Sequence, residues 1–163
     1  MIELKNLMLR KPRLTLAVAE SLTCGRMQAR VGLISGASEF FLGGITAYTL
    51  DQKVRHLGVD RGRAAAANGV SAEIAAEMAD GVCGLFGASV GVATTGYAEP
   101  SAEWAVDRPF AWWAVAYRPP GGKVLTRCGK VEWPGASRAE AQERTADAAM
   151  EALIAWVEGI RAG

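Results

Sequence analysis

Three short segments carry side chains that could do chemistry, and the first of them is residues 19–25 (AESLTCG). Ser21 in this segment could act as a nucleophile beside a helix N-terminus, whose unpaired N–H groups suit a phosphate or a developing oxyanion. The simpler alternative is that Ser21 or Thr23 caps that helix. Cys24 is a second candidate nucleophile, because a thiol at a helix N-terminus can have a lowered pKa.

The second segment, residues 43–53 (GGITAYTLDQK), joins a pair of glycines to Tyr48 and Lys53. Paired glycines let a neighbouring backbone approach closely. Lys53 could serve as a general base for a serine if burial or a nearby cation lowers its pKa well below its usual value of about 10.4. The alternative is an ordinary solvated lysine on the surface.

The third segment, residues 94–100 (TTGYAEP), could bind a phosphate through its hydroxyl groups and backbone amides, or it could be only a turn. All three segments follow apolar runs of strand length. Ligands of open α/β sheets bind beyond the carboxyl ends of the strands. This shared placement predicts one pocket lined by all three segments.

Hydrophobic periodicity predicts the elements that position these segments. Strands are expected at residues 14–19, 43–49, 88–95, 110–117 and 123–131, and helices at residues 24–34, 51–57, 71–86 and 137–159. This alternation, followed by a hairpin, predicts an α/β fold: a three-layer α/β/α domain with a mixed sheet. No repeat or linker divides the chain, so a single domain over residues 1–163 is expected. The inner face of the last helix is expected to carry Ala141, Thr145, Ala148, Ala152, Ala155 and Trp156.

The composition argues against several classes of partner. Lys and Arg total 18 against 17 Asp and Glu, which gives a formal net charge of +1 and no electrostatic reason to expect nucleic acid or an anionic membrane. The apolar runs are too short for a transmembrane helix and the start lacks a signal-peptide pattern, so a cytoplasmic location is expected. The 3 widely spaced cysteines and the single histidine predict neither a disulfide framework nor a metal site.

The same segments resemble the C-terminal domain of the CinA (competence/damage-inducible) family. AESLTCGR is similar to the family's AES motif, with Cys24 where a glycine is usual. GASEFFLGGITAYTLDQK is similar to its pattern GSS-x-x-F-x-x-G-x-x-x-Y-S-N-x-x-K, with Ser21 and Lys53 spaced 32 residues apart as in the family. HLGVD and NGVSAEIAAEMADG match further stretches, so the resemblance runs from Leu14 to about Val157.

The resemblance implies hydrolysis of the carboxamide of nicotinamide mononucleotide, a pyridine nucleotide, to the acid and ammonia. By position, Ser21 is the implied nucleophile, Lys53 its activating base and Tyr48 an assisting hydroxyl, a Ser–Lys version of covalent acyl transfer. The resemblance implies no metal or organic cofactor. It does imply that the protein forms a homo-oligomer. The implied substrate-binding residues are Thr23, Gly25, Ser38, Gly44, Thr95, Gly96 and Arg138.

The sequence also departs from the family pattern around the substrate. Glu99 replaces a glycine, Trp112 replaces a small hydroxyl residue, and Gln142 replaces an arginine. The alternative function is therefore a catalytically impaired paralogue that binds a small ligand or forms oligomers. Residues 97–107 also carry Glu103, Asp107 and Trp104. Three acidic groups are expected to disfavour a phosphate unless Arg108 or Arg138 neutralises them, which predicts weak or absent activity on nicotinamide mononucleotide itself. Trp104 or Trp112 is expected to face a ring or to close the pocket.

Overall fold

A mixed five-stranded sheet forms the centre of the computed structural model, which describes residues 2–162. The strand order is β2-β1-β3-β4-β5. β1 pairs in parallel with β2 and β3, whereas β4 runs antiparallel to β3 and β5. The strands are β1 (Leu16–Glu20), β2 (Phe41–Thr46), β3 (Val90–Tyr97), β4 (Phe110–Tyr117) and β5 (Leu125–Glu132).

Helices cover both faces of this sheet. Those described are α1 (Ile2–Leu9), α2 (Arg26–Gly32), α3 (Leu50–Leu57), α4 (Arg61–Ala66), α5 (Ala72–Phe86) and α6 (Arg138–Ala162). Buried side chains of α1, α2 and α6 pack against one face, and those of α3, α4 and α5 against the other. The predicted three-layer α/β/α architecture with a mixed sheet is confirmed. Within residues 2–162, no helix combines the length and apolarity needed to cross a membrane.

The two faces of the sheet differ in side-chain size, which sets how closely the helices approach. Along β1, Leu16 and Val18 point towards α2 and α6, whereas Ala17 and Ala19 point towards α5, as the alternation of side chains in a strand requires. A Cβ at Gly91 in β3 would overlap a backbone carbonyl oxygen of α5. Small residues on this face therefore bring α5 close to the sheet, and with it the loop that precedes α5.

The order of the strands creates a crevice at the carboxyl end of β1. The chain leaves β1 through α2 on one face to reach β2, and leaves β2 through α3, α4 and α5 on the other face to reach β3. β1 therefore lies between strands whose connections diverge. This is the switch point at which open α/β sheets bind their ligands.

Several sequence-based boundaries were wrong. α1 and α4 were not predicted, and β2 begins at Phe41 and ends at Thr46, three residues before the expected end. The inner face of α6 was predicted correctly at Ala141 and Thr145, which are buried, but not further along the helix, because an alanine-rich helix offers little hydrophobic contrast from which to predict its buried face. Ala155 is exposed and Ala148, Ala152 and Trp156 are half-buried, whereas the buried positions include Ala146, Ala149, Leu153 and Val157.

Candidate active site

A cavity of about 470 Å³ lies at the carboxyl ends of β1, β2 and β3. All three segments singled out in the sequence contribute side chains to its lining. The lining residues among the expected site residues are Ser21, Tyr48, Lys53, Gly96 and Arg138. Ser21 and Lys53 are only 5% and 3% exposed, so they lie at the inner end of the cavity.

Ser21 is held in a tight turn directly after β1. Its N–H donates to the carbonyl of Thr94 (3.1 Å), and its own carbonyl accepts from Cys24 N–H (3.1 Å). The Ser21 hydroxyl donates to the backbone carbonyl of Tyr48 at 3.4 Å. This long hydrogen bond orients the hydroxyl without a strong partner.

The N-terminus of α2 behind this turn is occupied by the carboxylate of Glu20. Its oxygens accept from the N–H groups of Met27 (3.1 Å) and Gln28 (2.9 Å), and Glu20 is fully buried. Because these N–H groups are already paired, α2 does not offer the expected phosphate or oxyanion site. Neither Ser21 nor Thr23 caps the helix, so the capping alternative was also wrong: Gly25 stands at the N-cap.

Lys53 is buried one turn into α3, and the solvated-surface alternative was wrong. Its Nζ donates to the carbonyl of Gly69 (3.2 Å) and to Oγ1 of Thr95 (3.1 Å). Thr95 Oγ1 in turn donates to the same Gly69 carbonyl (2.6 Å). Burial lowers the pKa of the Lys53 amine from 10.5 to about 8, since the charged form is disfavoured away from water.

The outer rim of the cavity is formed by three polar side chains. Arg138, in the first turn of α6, donates from Nη1 to Glu99 (2.7 Å) and from Nη2 to the hydroxyl of Tyr48 (2.6 Å). Glu99 and Tyr48 are 61% and 46% exposed, in contrast to Ser21 and Lys53. The Tyr48 hydroxyl therefore lies at the mouth of the cavity, while its backbone carbonyl lies beside Ser21.

The remaining expected binding residues lie outside the cavity lining. Thr23 is buried behind it, where its hydroxyl contacts Glu20 (2.5 Å) and Thr94 (2.7 Å), and Thr95 lies beneath Lys53. Ser38 is exposed before the amino end of β2, at the opposite edge of the parallel strands. Gly44 packs against α2, where a Cβ would lie 2.7 Å from the Gln28 side chain.

Gly25 is also outside the lining, and its φ of +92° explains the glycine by backbone geometry alone. Cys24, the alternative nucleophile, has a φ of 45°, is exposed and does not line the cavity either.

The residues at which the sequence departs from the family pattern differ in where they lie: Glu99 lines the cavity, whereas Trp104, Trp112 and Gln142 do not. Trp112 packs into the core beside α5, because consecutive residues of a strand face opposite sides and Trp113 takes the other face. Gln142 is buried outside the cavity, and Trp104 does not line it. Of the three acidic side chains, Glu99 alone lines the cavity; Asp107 pairs with Arg108 (2.9 Å).

Asn68 is a lining residue that the sequence reasoning missed, and it contacts Tyr97 of the third predicted segment. Asn68 Nδ2 donates to the hydroxyl of Tyr97 at 3.0 Å, and both side chains line the cavity. Asn68 has a φ of 48°, which asparagine tolerates better than most residues. The Asn68–Gly69 dipeptide is a turn signal that could have marked this loop. Within residues 2–162, no cluster of three or more His, Cys, Asp or Glu could hold a metal ion.

Most of this chain is similar in sequence to known proteins. The sequence profile of the CinA C-terminal domain matches residues 2–157. A CinA-like protein from Chlorobium limicola is 38% identical over 155 residues, which cover 94% of this chain and 36% of that protein. Another, from Frankia casuarinae, is 44% identical over 110 residues, covering 68% of this chain and 25% of that protein. The chain thus spans about a third or less of the length of these curated relatives.

Solved structures with the same architecture carry related names. The competence/damage inducible protein CihA from Agrobacterium tumefaciens is 30% identical, with a TM-score of 0.77 and 94% of each chain covered. A CinA superfamily protein from Enterobacter cloacae has a TM-score of 0.83 at 23% identity, covering 96% of this chain and 89% of that one, a likeness in fold. Profile, sequence and fold agree, and this chain belongs to the CinA C-terminal domain family.

Proposed function

We propose that this protein is an amidohydrolase that converts the carboxamide of a pyridine nucleotide, or of a related small amide, into the acid and ammonia. The observation that carries the proposal is the buried Lys53 amine, with a pKa lowered to about 8, in the same cavity as the Ser21 hydroxyl. A buried amine and a serine facing one cavity are the two groups that a Ser–Lys acyl transfer needs.

The lowered pKa gives Lys53 a usable fraction of free base. With a pKa of about 8, about a quarter of the amines are uncharged at pH 7.5, against about one in a thousand for an ordinary lysine. An uncharged amine has two N–H groups and one lone pair. The Gly69 carbonyl and Thr95 Oγ1 accept hydrogen bonds from the two N–H groups. The lone pair is then left to accept a proton.

In the proposed reaction, the Ser21 hydroxyl attacks the carboxamide carbon while its proton passes to the Lys53 amine. The resulting ammonium returns this proton to the leaving nitrogen, the C–N bond breaks, and ammonia departs from an ester on Ser21. Water then attacks the ester while Lys53 accepts its proton; the C–Oγ bond breaks, Lys53 returns the proton to Ser21 Oγ, and the acid is released. We further propose a cytoplasmic location and a homo-oligomeric state, the former supported by three free cysteines.

A second candidate function is a non-catalytic paralogue that binds a small ligand or serves as an oligomeric protein. The observation in its favour is that Ser21 donates to a backbone carbonyl, whereas Lys53 Nζ bonds to Gly69 and Thr95. The two proposed catalytic side chains thus have other hydrogen-bond partners. Productive binding must draw the Ser21 hydroxyl from a bond of 3.4 Å, which is weak enough to exchange.

The two functions differ in one product, ammonia. We expect purified protein to release ammonia from at least one member of a panel of nicotinamide mononucleotide, its riboside and nicotinamide, measured by a coupled ammonia assay. The control is the same protein with Lys53 replaced by methionine. Binding of a panel member without release of ammonia would instead support the non-catalytic function.

A further inference from the structure

The cavity carries an uneven distribution of charge between its inner end and its mouth. Among the described residues that line it, Glu99 is the one carboxylate, and Lys53 and Arg138 are the cations. Lys53 is buried at the inner end, whereas Glu99 and Arg138 are 61% and 46% exposed at the mouth. A ligand that enters with its amide towards Ser21 therefore leaves its far end beside Glu99 and Arg138.

Arg138 is the group at this mouth that a phosphate would seek, because a guanidinium binds phosphate oxygens through paired N–H donors. Two of its five N–H donors are already engaged, one from Nη1 by Glu99 at 2.7 Å and one from Nη2 by the Tyr48 hydroxyl at 2.6 Å. Glu99 thus occupies the place that an anionic ligand group would take. A phosphate dianion that binds Arg138 would have to displace this carboxylate or share the guanidinium with it, and in either case it would remain near a negative charge that repels it.

We propose that Glu99 is a specificity-determining residue that makes this site select carboxamides without a phosphate group over their phosphorylated forms. The inference rests on the proposed amidohydrolase function and names its substrate class, a nucleoside-like amide. Glu99 takes the place of a phosphate as the partner of Arg138. The uncharged hydroxymethyl group of a riboside can fit beside Glu99 and Arg138 without breaking their ion pair.

The test compares nicotinamide mononucleotide with its dephosphorylated riboside in the wild type, in Glu99→Gln and in Glu103→Gln. Glutamine keeps the shape of Glu99 but removes its charge. Glu103 is a matched control, because it lies in the same loop and outside the cavity lining. Two ratios between the mononucleotide and the riboside are measured for each protein. The first is the ratio of their kcat/KM values for ammonia release, and the second is the ratio of their dissociation constants by calorimetry.

The wild type is expected to prefer the riboside, and Glu99→Gln to shift the ratio about tenfold towards the mononucleotide, whereas Glu103→Gln keeps the wild-type ratio. Preference of the wild type for the mononucleotide, an unchanged ratio in Glu99→Gln, or binding of neither compound would overturn the proposal. If ammonia is released from neither compound nor from nicotinamide, the amidohydrolase function fails, and the ratio of dissociation constants still decides the role of Glu99.

Discussion

Replacing Ser21 with alanine is expected to reduce ammonia release by at least about 10³-fold, the scale seen when a catalytic serine is removed. The hydroxyl is the group that forms the ester, and in its absence Lys53 has no nucleophile to activate. The folded structure should tolerate the change, because the hydroxyl makes one long hydrogen bond, 3.4 Å to the Tyr48 carbonyl. Its loss costs about 1 kcal/mol or less. Initial rates and urea unfolding of the same preparation measure the two effects.

Cys24→Ser is the matched control for the Ser21 variant. Cys24 lies three residues further along the same turn but is exposed and outside the cavity lining, so its replacement is expected to change the rate by less than about threefold. Full activity in Ser21→Ala together with a large loss in Cys24→Ser would identify the thiol as the nucleophile and contradict the assignment.

Replacing Lys53 with methionine is expected to abolish ammonia release and, at the same time, to stabilise the protein. The folded pKa of about 8 lies below the ordinary 10.5, so the unfolded chain binds more protons between these values. Keeping the charged Lys53 amine buried lowers the free energy of unfolding by about 3 kcal/mol below pH 8. Methionine matches the length of the stem without the charge, and Thr95 still donates to the Gly69 carbonyl at 2.6 Å, so no buried polar group loses its partner.

The pH dependence of this gain in stability follows from the sign of the shift. The penalty in the wild type is complete below pH 8, shrinks as the pH rises, and vanishes above 10.5, where the amine is neutral in both states. Urea unfolding should therefore show Lys53→Met to be more stable than the wild type by about 1–3 kcal/mol at pH 7 and by much less at pH 10. Lys123→Met, at an exposed position, should show neither the gain nor the loss of activity. A destabilised Lys53→Met at pH 7 would contradict the burial of a charged amine.

The architecture was predictable because its signals are local. Apolar runs of strand length and the glycine after α5 mark elements whose neighbours in sequence are also neighbours in space. Ser71 caps α5 by accepting from Ile74 N–H at 3.2 Å, and Gly87 ends it with a φ of +70°. Both boundaries follow from residue chemistry within one helical turn.

The burial of Lys53 and its lowered pKa were not predictable from the sequence, because they depend on residues far away along the chain. The groups that surround it, Gly69 and Thr95, lie 16 and 42 residues further along the chain. They meet Lys53 only because small residues let α5 approach the sheet. A lysine near the start of a short helix is otherwise typical of a solvated surface.

The occupant of the α2 N-terminus was unpredictable for a similar reason. A strand-to-helix turn with serine, threonine and glycine suggests an open anion site, yet Glu20 folds back from the end of β1 to fill it. Likewise, composition showed that residues 97–107 are acidic, but only the structure separates Glu99, which lines the cavity, from Asp107, which pairs with its neighbour Arg108.

The dependence of kcat/KM on pH tests most directly whether Lys53 acts as a base on Ser21. Because the free amine is the active form, ammonia release should rise with pH along a single ascending limb whose midpoint lies near the Lys53 pKa of about 8. The rate should level off above pH 9, where the amine is largely uncharged. A profile that is flat from pH 6 to pH 9, or one that still rises beyond pH 10 as an ordinary lysine would require, would contradict a buried lysine base.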